Sequence, residues 1–309
     1  MKRYSLGVSA TCYLTVWETL DTLNFLDRCQ AFGAAGIQAV LRNDPLEVRA
    51  RAEKYEMYFE AMVPLPKAGD TSEFEQSLKN AKAAGATALR AACLGTRRFE
   101  TFPTLESWQA HVAESHQSLA AALPLLDKYK IPLGLENHKD WTTDELLAIL
   151  EHYSSEYFGV CLDFGNNISL LDPPMPSLEK LAPFAVTTHI KDMAVEPYEE
   201  GILMSEVILG QGYLDLPRIV SLIQQARPLT RLTLEMITRD PLRIPMLTDA
   251  YWPTFPDKTA PELARTLRFV NQHKAPEPLP RISHLNKAEL SLLEDQNVID
   301  CLKAWDAET

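Results

Sequence analysis

Four ionisable side chains stand at or near the ends of four short apolar runs. They are Glu136 in "LGLEN", Asp163 in "VCLDFGN", His189 in "TTHIKDM" and Glu235 in "LTLEM". Reading each run with the two-residue period of a strand sorts its side chains onto two faces. Ile131, Leu133 and Leu135 oppose Pro132, Gly134 and Glu136; Phe158, Val160 and Leu162 oppose Gly159, Cys161 and Asp163. Val186, Thr188 and Ile190 oppose Ala185, Thr187 and His189; Leu232, Leu234 and Met236 oppose Arg231, Thr233 and Glu235. The bulky apolar faces fit the outside of a barrel, against helices, and the small or polar faces fit its inside. Glu136, Asp163, His189 and Glu235 then aim into one cavity. Left alone, three carboxylates and an imidazole there would repel one another and resist desolvation. One divalent cation removes both costs. A neutral imidazole with three carboxylate oxygens suits Mn²⁺, Mg²⁺ or Co²⁺ better than zinc, whose structural sites favour thiolates.

Such a centre polarises a carbonyl and its neighbouring hydroxyl and acidifies the adjacent C–H. A carboxylate on one side can then remove the proton. Return from the opposite side gives an epimer. Return to the adjacent carbon gives an aldose–ketose isomer, and loss of a β-hydroxyl gives elimination. The residues fix the proton abstraction better than its outcome.

The elements that position these residues alternate. Candidate strands cover 4–11, 37–42, 57–63, 87–94, 131–137, 158–164, 185–191 and 231–237. Amphipathic stretches lie between them, among them "TLDTLNFLDRCQAFGAAG", "TSEFEQSLKNAKAAGA" and "LESWQAHVAESHQSLAAALPLLDKYK", with apolar residues three and four apart. Gly36 and Gly85 are expected to close helices just before strands, and "TTDEL" to start one with Thr caps and acids in the first turn. Eight strands, with a last helix near 260–273, predict a (β/α)8 TIM barrel, whose sites lie at the C-terminal ends of the strands. A doubly wound open sheet would usually carry a Gly-rich turn after strand 1, and "GVSATCYLT" is not one. The barrel is expected over 1–274. Residues 275–309 form a Pro-rich exit, "KAPEPLPRI", and a C-terminal helix that packs on the barrel or on a neighbouring subunit of a homo-oligomer.

Arg90, His138, Asn166 and Lys191 are the candidate substrate-binding residues, each close to a strand end. Arg42 and Glu60 share that description more weakly, as hydroxyl ligands or as partners of one another across the barrel. "LGQGYLD" (209–215) reads as a helix-entry turn with weak phosphate-site character. Tyr251 and Trp252 either wall a sugar ring or pack their loop. His111, His116 and His152 fall on predicted helices and read as structural.

Composition narrows the partners. A formal charge of −12 over 309 residues repels phosphate backbones and anionic headgroups, which argues against nucleic acid and membrane partners. Five cysteines without CxxC spacing read as free thiols in a reducing, cytoplasmic setting. "MKRYSLGVSATCYLTVW" reads as a first strand, since Ser, Thr and Gly break its apolar run.

Taken together, "LGLEN", "VCLDFGN", "THIKDM" followed by "LGQGYLDLPRIVSLI", and "LTLEM" resemble the xylose-isomerase-like TIM barrels. More narrowly they resemble the sugar phosphate isomerase/epimerase group, with ketose 3-epimerases and inosose dehydratases as relatives. The resemblance covers roughly residues 4–273. It implies a metal held by Glu136, Asp163, His189 and Glu235, and acid/base roles for Glu136 and Glu235. The substrate it implies is a carbohydrate or cyclitol. The expected activity is a metal-dependent isomerase or epimerase, with an inosose-dehydratase-like or oxidised-sugar lyase as the alternative. Ketose epimerases tend to carry His three residues after the strand-6 Asp, where this chain has Asn166. The long loop "RDPLRIPMLTDAYWPTFPDK" also departs from the common pattern.

Overall fold

The chain's apolar runs form the strands of a barrel in the computed structural model, which describes residues 5–67 and 69–308. Tyr4, at the start of the first expected strand, lies outside the described residues, as do Met1 to Arg3. The strands are β1 (Leu6–Ser9), β2 (Gly36–Ala39), β3 (Tyr58–Met62), β4 (Leu89–Ala91), β5 (Leu133–Glu136), β6 (Phe158–Asp163), β7 (Ala185–His189), β8 (Asp192–Tyr198), β9 (Gly201–Val207), β10 (Leu232–Leu234) and β11 (Leu242–Ile244). β1 to β7 pair in parallel in chain order, and β10 pairs in parallel with β1. The remaining seam closes through Ile190 and Leu234: Ile190 N donates to Thr233 O at 2.7 Å and Glu235 N to Ile190 O at 2.8 Å. This is a (β/α)8 TIM barrel.

The helices are α1 (Thr22–Ala31), α2 (Pro45–Lys54), α3 (Ser72–Ala83), α4 (Arg98–Thr101), α5 (Leu105–Tyr129), α6 (Thr143–His152), α7 (Pro174–Leu181), α8 (Leu216–Ala226), α9 (Ala260–Gln272) and α10 (Lys287–Glu308). Their starts follow from local chemistry. Asp21, Asp44, Thr104, Thr142 and Asp215 accept first-turn amides that would otherwise lack partners. Thr142 and Glu145 cap α6 reciprocally. Gly85 closes α3 in the left-handed region at φ +75°, as its position suggests. Gly36 does not close α1. Gly33 does, at φ +83°, and Gly36 is the first residue of β2, where the Tyr58 ring fills the space a Cβ would need.

Leu133, Leu135, Val160 and Leu162 are fully buried. Burying each such side chain contributes roughly 1.5–3 kcal/mol, so the register that aims the opposite faces inward is strongly held.

The barrel carries an addition that the strand pattern does not announce. β8 follows β7 after two residues, folds back antiparallel on β9, and β9 pairs with β11. This three-stranded sheet rises from the C-terminal end of β7. The exit from the barrel runs along it, Ala275 N donating to Val195 O at 2.9 Å.

α10 lies on the same chain's barrel. Val298, Cys301 and Trp305 are buried in the main core. Glu294 accepts from Thr15 N at 3.0 Å and from the Thr15 hydroxyl, Arg28 pairs with Asp295 at 2.6 Å, and Asn297 donates to Thr238 Oγ1 at 2.8 Å. The helix thus ties the loop after β1 to the loop after β10. Among the described residues no helix is long and apolar enough to cross a membrane.

Candidate metal centre

Glu136, Asp163 and His189 are the last residues of β5, β6 and β7, and Glu235 directly follows β10. All four are buried. One donor atom from each lies within 4.8 Å of the others. His189 Nδ1 is 3.3 Å from Glu235 Oε1, 3.5 Å from Glu136 Oε1 and 3.8 Å from Asp163 Oδ2.

The surroundings orient each donor. Asp163 Oδ1 accepts the amides of Gly165 at 2.8 Å and Asn166 at 2.9 Å, which leaves Oδ2 turned to the cluster. Asn137 bridges β5 to β6: its Oδ1 accepts Asp163 N at 2.7 Å and its Nδ2 donates to Asp163 O at 2.8 Å. The His189 ring is fixed from below. Its Nε2 lies 2.7 Å from Gln38 Oε1, and Gln38 Nε2 donates to Glu60 Oε2 at 3.0 Å and Thr187 Oγ1 at 3.2 Å. Glu60 Oε2 also accepts the Thr187 hydroxyl at 2.5 Å. Burial pushes the Glu60 carboxyl up, against these hydrogen bonds.

Two cations brace the acids. Arg90 donates to Glu136 Oε2 through Nε at 2.6 Å and through Nη2. Lys191 Nζ sits 2.6 Å from Asp163 Oδ2 and also donates to Glu235. Burial favours the protonated form of Glu136, but Arg90 and His189 outweigh it and hold the carboxyl well below its ordinary value. The same contest, with His189 and Lys191 winning, lowers Glu235. Asp163 goes the other way: burial and the charges of Glu235 and Glu136 raise it despite Lys191. Burial disfavours a charged His189, yet Cys161, Glu235 and Glu136 draw its pKa well up. The cluster therefore demands positive charge at its centre.

The donors fit a divalent cation. His189 Nδ1 is buried without a hydrogen bond, and Asp163 Oδ2 has only the Lys191 ammonium for a partner; both face the same point as the oxygens of Glu136 and Glu235. Three oxygens and one imidazole nitrogen, with no thiolate among them, make a set suited to a hard or borderline ion.

The four expected substrate-binding residues surround this cluster. Arg90 is on Glu136 and Lys191 on Asp163 and Glu235. Asn166 accepts a hydrogen bond from Lys139 and donates through Nδ2 to Asn137 O at 3.3 Å. His138 is half-buried with an unpartnered Nδ1, and burial, with Lys139 adding, pushes it down to about 3. Other candidates fall outside. Arg42 donates to Leu20 O at 3.2 Å. Glu60 lies inside the barrel, beneath His189. Gly210 and Gly212 give their amides to Asp192, at 3.0 and 2.7 Å, so the turn after β9 has no amides free for a phosphate. Tyr251 is buried, stacks on Phe255 and donates to Ser169 O at 2.8 Å, which makes it loop packing. His111, His116 and His152 pack among Trp108 and Tyr153 on α5 and α6.

Sequence reasoning missed Lys139, Glu206 and Arg239. Lys139 is buried, and its Nζ donates to Asn166 Oδ1. Burial pushes it down to about 8, with Arg239 and Lys191 adding. Glu206, on β9, pairs with Arg239 at 2.6 Å and brings the added sheet to the wall of the site. The signal available for Lys139 was its place three residues past Glu136, in "ENHKD".

Residues 26–272 match the family described as the xylose isomerase-like TIM barrel. A 99-residue stretch, 31% of the chain, is 37% identical to 3-oxo-isoapionate decarboxylase of Pectobacterium atrosepticum, and the match spans 36% of that relative's length. Among solved structures, L-ribulose 3-epimerase superposes with a TM-score of 0.55 over 99% of this chain and 96% of its own, at 14% identity. A xylose isomerase-like TIM barrel protein from Mycobacterium smegmatis, in complex with magnesium, superposes with a TM-score of 0.54 over 85% of this chain and 98% of its own, at 15% identity. At these identities the structural likeness carries the fold.

Proposed function

Because the chain belongs to the xylose isomerase-like TIM barrel family, we propose that it is a divalent-metal-dependent isomerase or epimerase. In this reading it abstracts a proton next to the carbonyl of a sugar or cyclitol. The observation that carries the proposal is the convergence of Glu136, Asp163, His189 and Glu235 within 4.8 Å at the C-terminal mouth of the barrel. These four residues would hold one ion, Mn²⁺, Mg²⁺ or Co²⁺. When bound, the ion polarises the substrate carbonyl and its neighbouring hydroxyl and acidifies the C–H beside them.

The chain's own groups do the rest. Glu136 and Glu235 stand on strands separated by β6 and β7, so they approach the reacting carbon from two sides. Arg90 and Lys191 keep both carboxylates ionised and ready to accept a proton. One glutamate takes the proton on one face, and the other, after picking up a proton from solvent, gives it to the opposite face; the carbon inverts and the two glutamates have exchanged protonation states. Arg90, His138, Asn166 and Lys191 orient the substrate hydroxyls. The five free cysteines, four of them buried, support a reducing cytoplasmic setting.

The local decarboxylase relative favours a lyase as the second reading. There the bond between the α-carbon of a β-keto acid and its carboxylate breaks, carbon dioxide leaves, the electron pair of that bond moves toward the carbonyl, and a glutamate that has taken a proton from solvent gives it to the carbon left behind. A dehydration would use the same proton abstraction and expel a hydroxyl.

The test is deuterium uptake by mass spectrometry, with metal-loaded protein in deuterated water and a panel of ketoses, inososes and keto sugar acids. Solvent deuterium beside the carbonyl of an isomeric product supports the first reading. A deuterated product lighter by water or carbon dioxide supports the second. Neither exchange nor turnover across the panel counts against both.

A further inference from the structure

We infer that Lys139 anchors a carboxylate of the substrate, so that this site takes an acidic sugar in preference to a neutral one. The inference rests on the reading of the metal centre as the substrate site and names the class of substrate it takes.

The starting observation is an imbalance of pairing. Arg90 is paired with Glu136, Lys191 with Asp163 and Glu235, and Arg239 with Glu206. Lys139 is 2% exposed, and its ammonium has no carboxylate partner among the described residues; it donates to the neutral Asn166 amide. A buried ammonium without a counter-charge is costly. Sites that retain one commonly use it on an anion.

The position is specific. Asn166, the acceptor of Lys139, gives its own backbone amide to Asp163 Oδ1 at 2.9 Å, so Lys139 stands one residue away from the metal cluster. Asp163, Lys191, Arg239 and Glu206 all act on its charge. His138, the preceding residue, keeps a buried Nδ1 without a hydrogen bond and offers a second polar contact. Nearby Asp140 spends Oδ1 on Trp141 N at 2.8 Å and makes no ion pair.

Charge counting gives the same direction. Four cations (Arg90, Lys139, Lys191, Arg239) stand among five buried carboxylates (Glu136, Asp140, Asp163, Glu206, Glu235). A divalent ion would bring the sum of these groups to one positive charge, which one carboxylate of a substrate balances. Phosphate would be the other anion of this chemistry. The turn best placed to cradle one has spent the amides of Gly210 and Gly212 on Asp192. A single ammonium with an amide beside it suits a carboxylate.

The experiment is calorimetric binding of L-sorbose and two of its acids to magnesium-loaded protein. 2-Keto-L-gulonate carries the carboxylate in place of C1, and 5-keto-D-gluconate in place of C6. D-Fructose and D-fructose 6-phosphate form the phosphate arm. At least one acid is expected to bind tenfold or more tightly than L-sorbose. Lys139→Met should remove that advantage, bringing the ratio of acid to L-sorbose affinity close to one, and Lys139→Arg should restore part of it. Thermal melts of both variants identify any loss of fold, in which case Lys139→Gln replaces the Met variant. Equal binding of acids and L-sorbose, no binding of either acid, an acid advantage that survives Lys139→Met, or a larger advantage for the phosphate overturns the inference. Metal content is measured on every sample. Wild-type protein that holds no ion defeats the metal reading, and a Lys139-dependent acid preference in that same protein upholds the anchor by itself.

Discussion

His189 Nε2 lies 2.7 Å from Gln38 Oε1, and this contact decides which ring nitrogen faces the carboxylates. An amide oxygen only accepts, so Nε2 is the donor and Nδ1 is the atom turned toward Glu136, Asp163 and Glu235. Gln38 is held in that orientation because its amide nitrogen faces Glu60 and Thr187.

Gln38→Leu removes this support while filling similar space. Metal affinity should fall by about 10- to 100-fold, the usual worth of such an outer partner. Nitrogen-15 shifts of His189 in the metal-loaded variant should report a less defined tautomer. Unchanged affinity and unchanged shifts would show that the ring needs no brace from Gln38.

Metal content tests the cluster itself. Purified protein should carry about one divalent ion per chain, the number a single set of four ligands holds. His189→Ala should lose most of it, and His152→Ala, a change on α6, should not. Equal content in the two variants would remove His189 from the site.

Glu136→Gln and Glu235→Gln keep an oxygen donor and delete the base. Loaded at high metal concentration, each should lose roughly 10²–10⁴-fold in turnover. In an epimerase one of them should still wash deuterium into the substrate without inverting it. Full turnover in both would leave the glutamates as ligands only.

Asp140 gives the metal-free protein a pH signature. Burial, with the charge of Glu136 adding, raises its carboxyl from 3.8 to about 7. Between those values the folded chain holds a proton that the unfolded chain has released. The contribution of Asp140 to folding stability therefore falls as pH rises through that window and is level outside it. Asp140→Asn lacks this titration, so it should gain on the wild type from about pH 4 to about pH 7. Urea unfolding across that range measures the difference, and a gap independent of pH would refute the assignment.

The two-residue period made the cluster legible, because Glu136, Asp163, His189 and Glu235 all stand on or beside regular strands. It could not reach Lys139. That residue follows β5 by three positions in an irregular segment, where sequence spacing no longer reports direction. Gln38 was visible only as a polar residue inside "IQAV"; its partner is 151 positions away. The sheet of β8, β9 and β11 was missed for another reason. Only two residues separate β7 from β8, so "DMAVEPY" reads as the tail of the barrel strand. Gly36 was misread because its requirement is room for the Tyr58 ring, a neighbour that spacing does not disclose.

α10 has a consequence for the order of events at the ribosome. Thr15 and Arg28 are fastened by Glu294 and Asp295, 279 and 267 positions downstream. Synthesis runs from the first residue to the last at about 5–20 residues per second. For much of a nascent chain's life, the loop after β1 therefore waits for an anchor that has not yet been translated. The loop at the barrel's mouth is fastened only by a segment translated after every residue of the metal cluster. A ribosome stalled before α10 would display a barrel with an unfastened first loop, more open to protease there than the released protein.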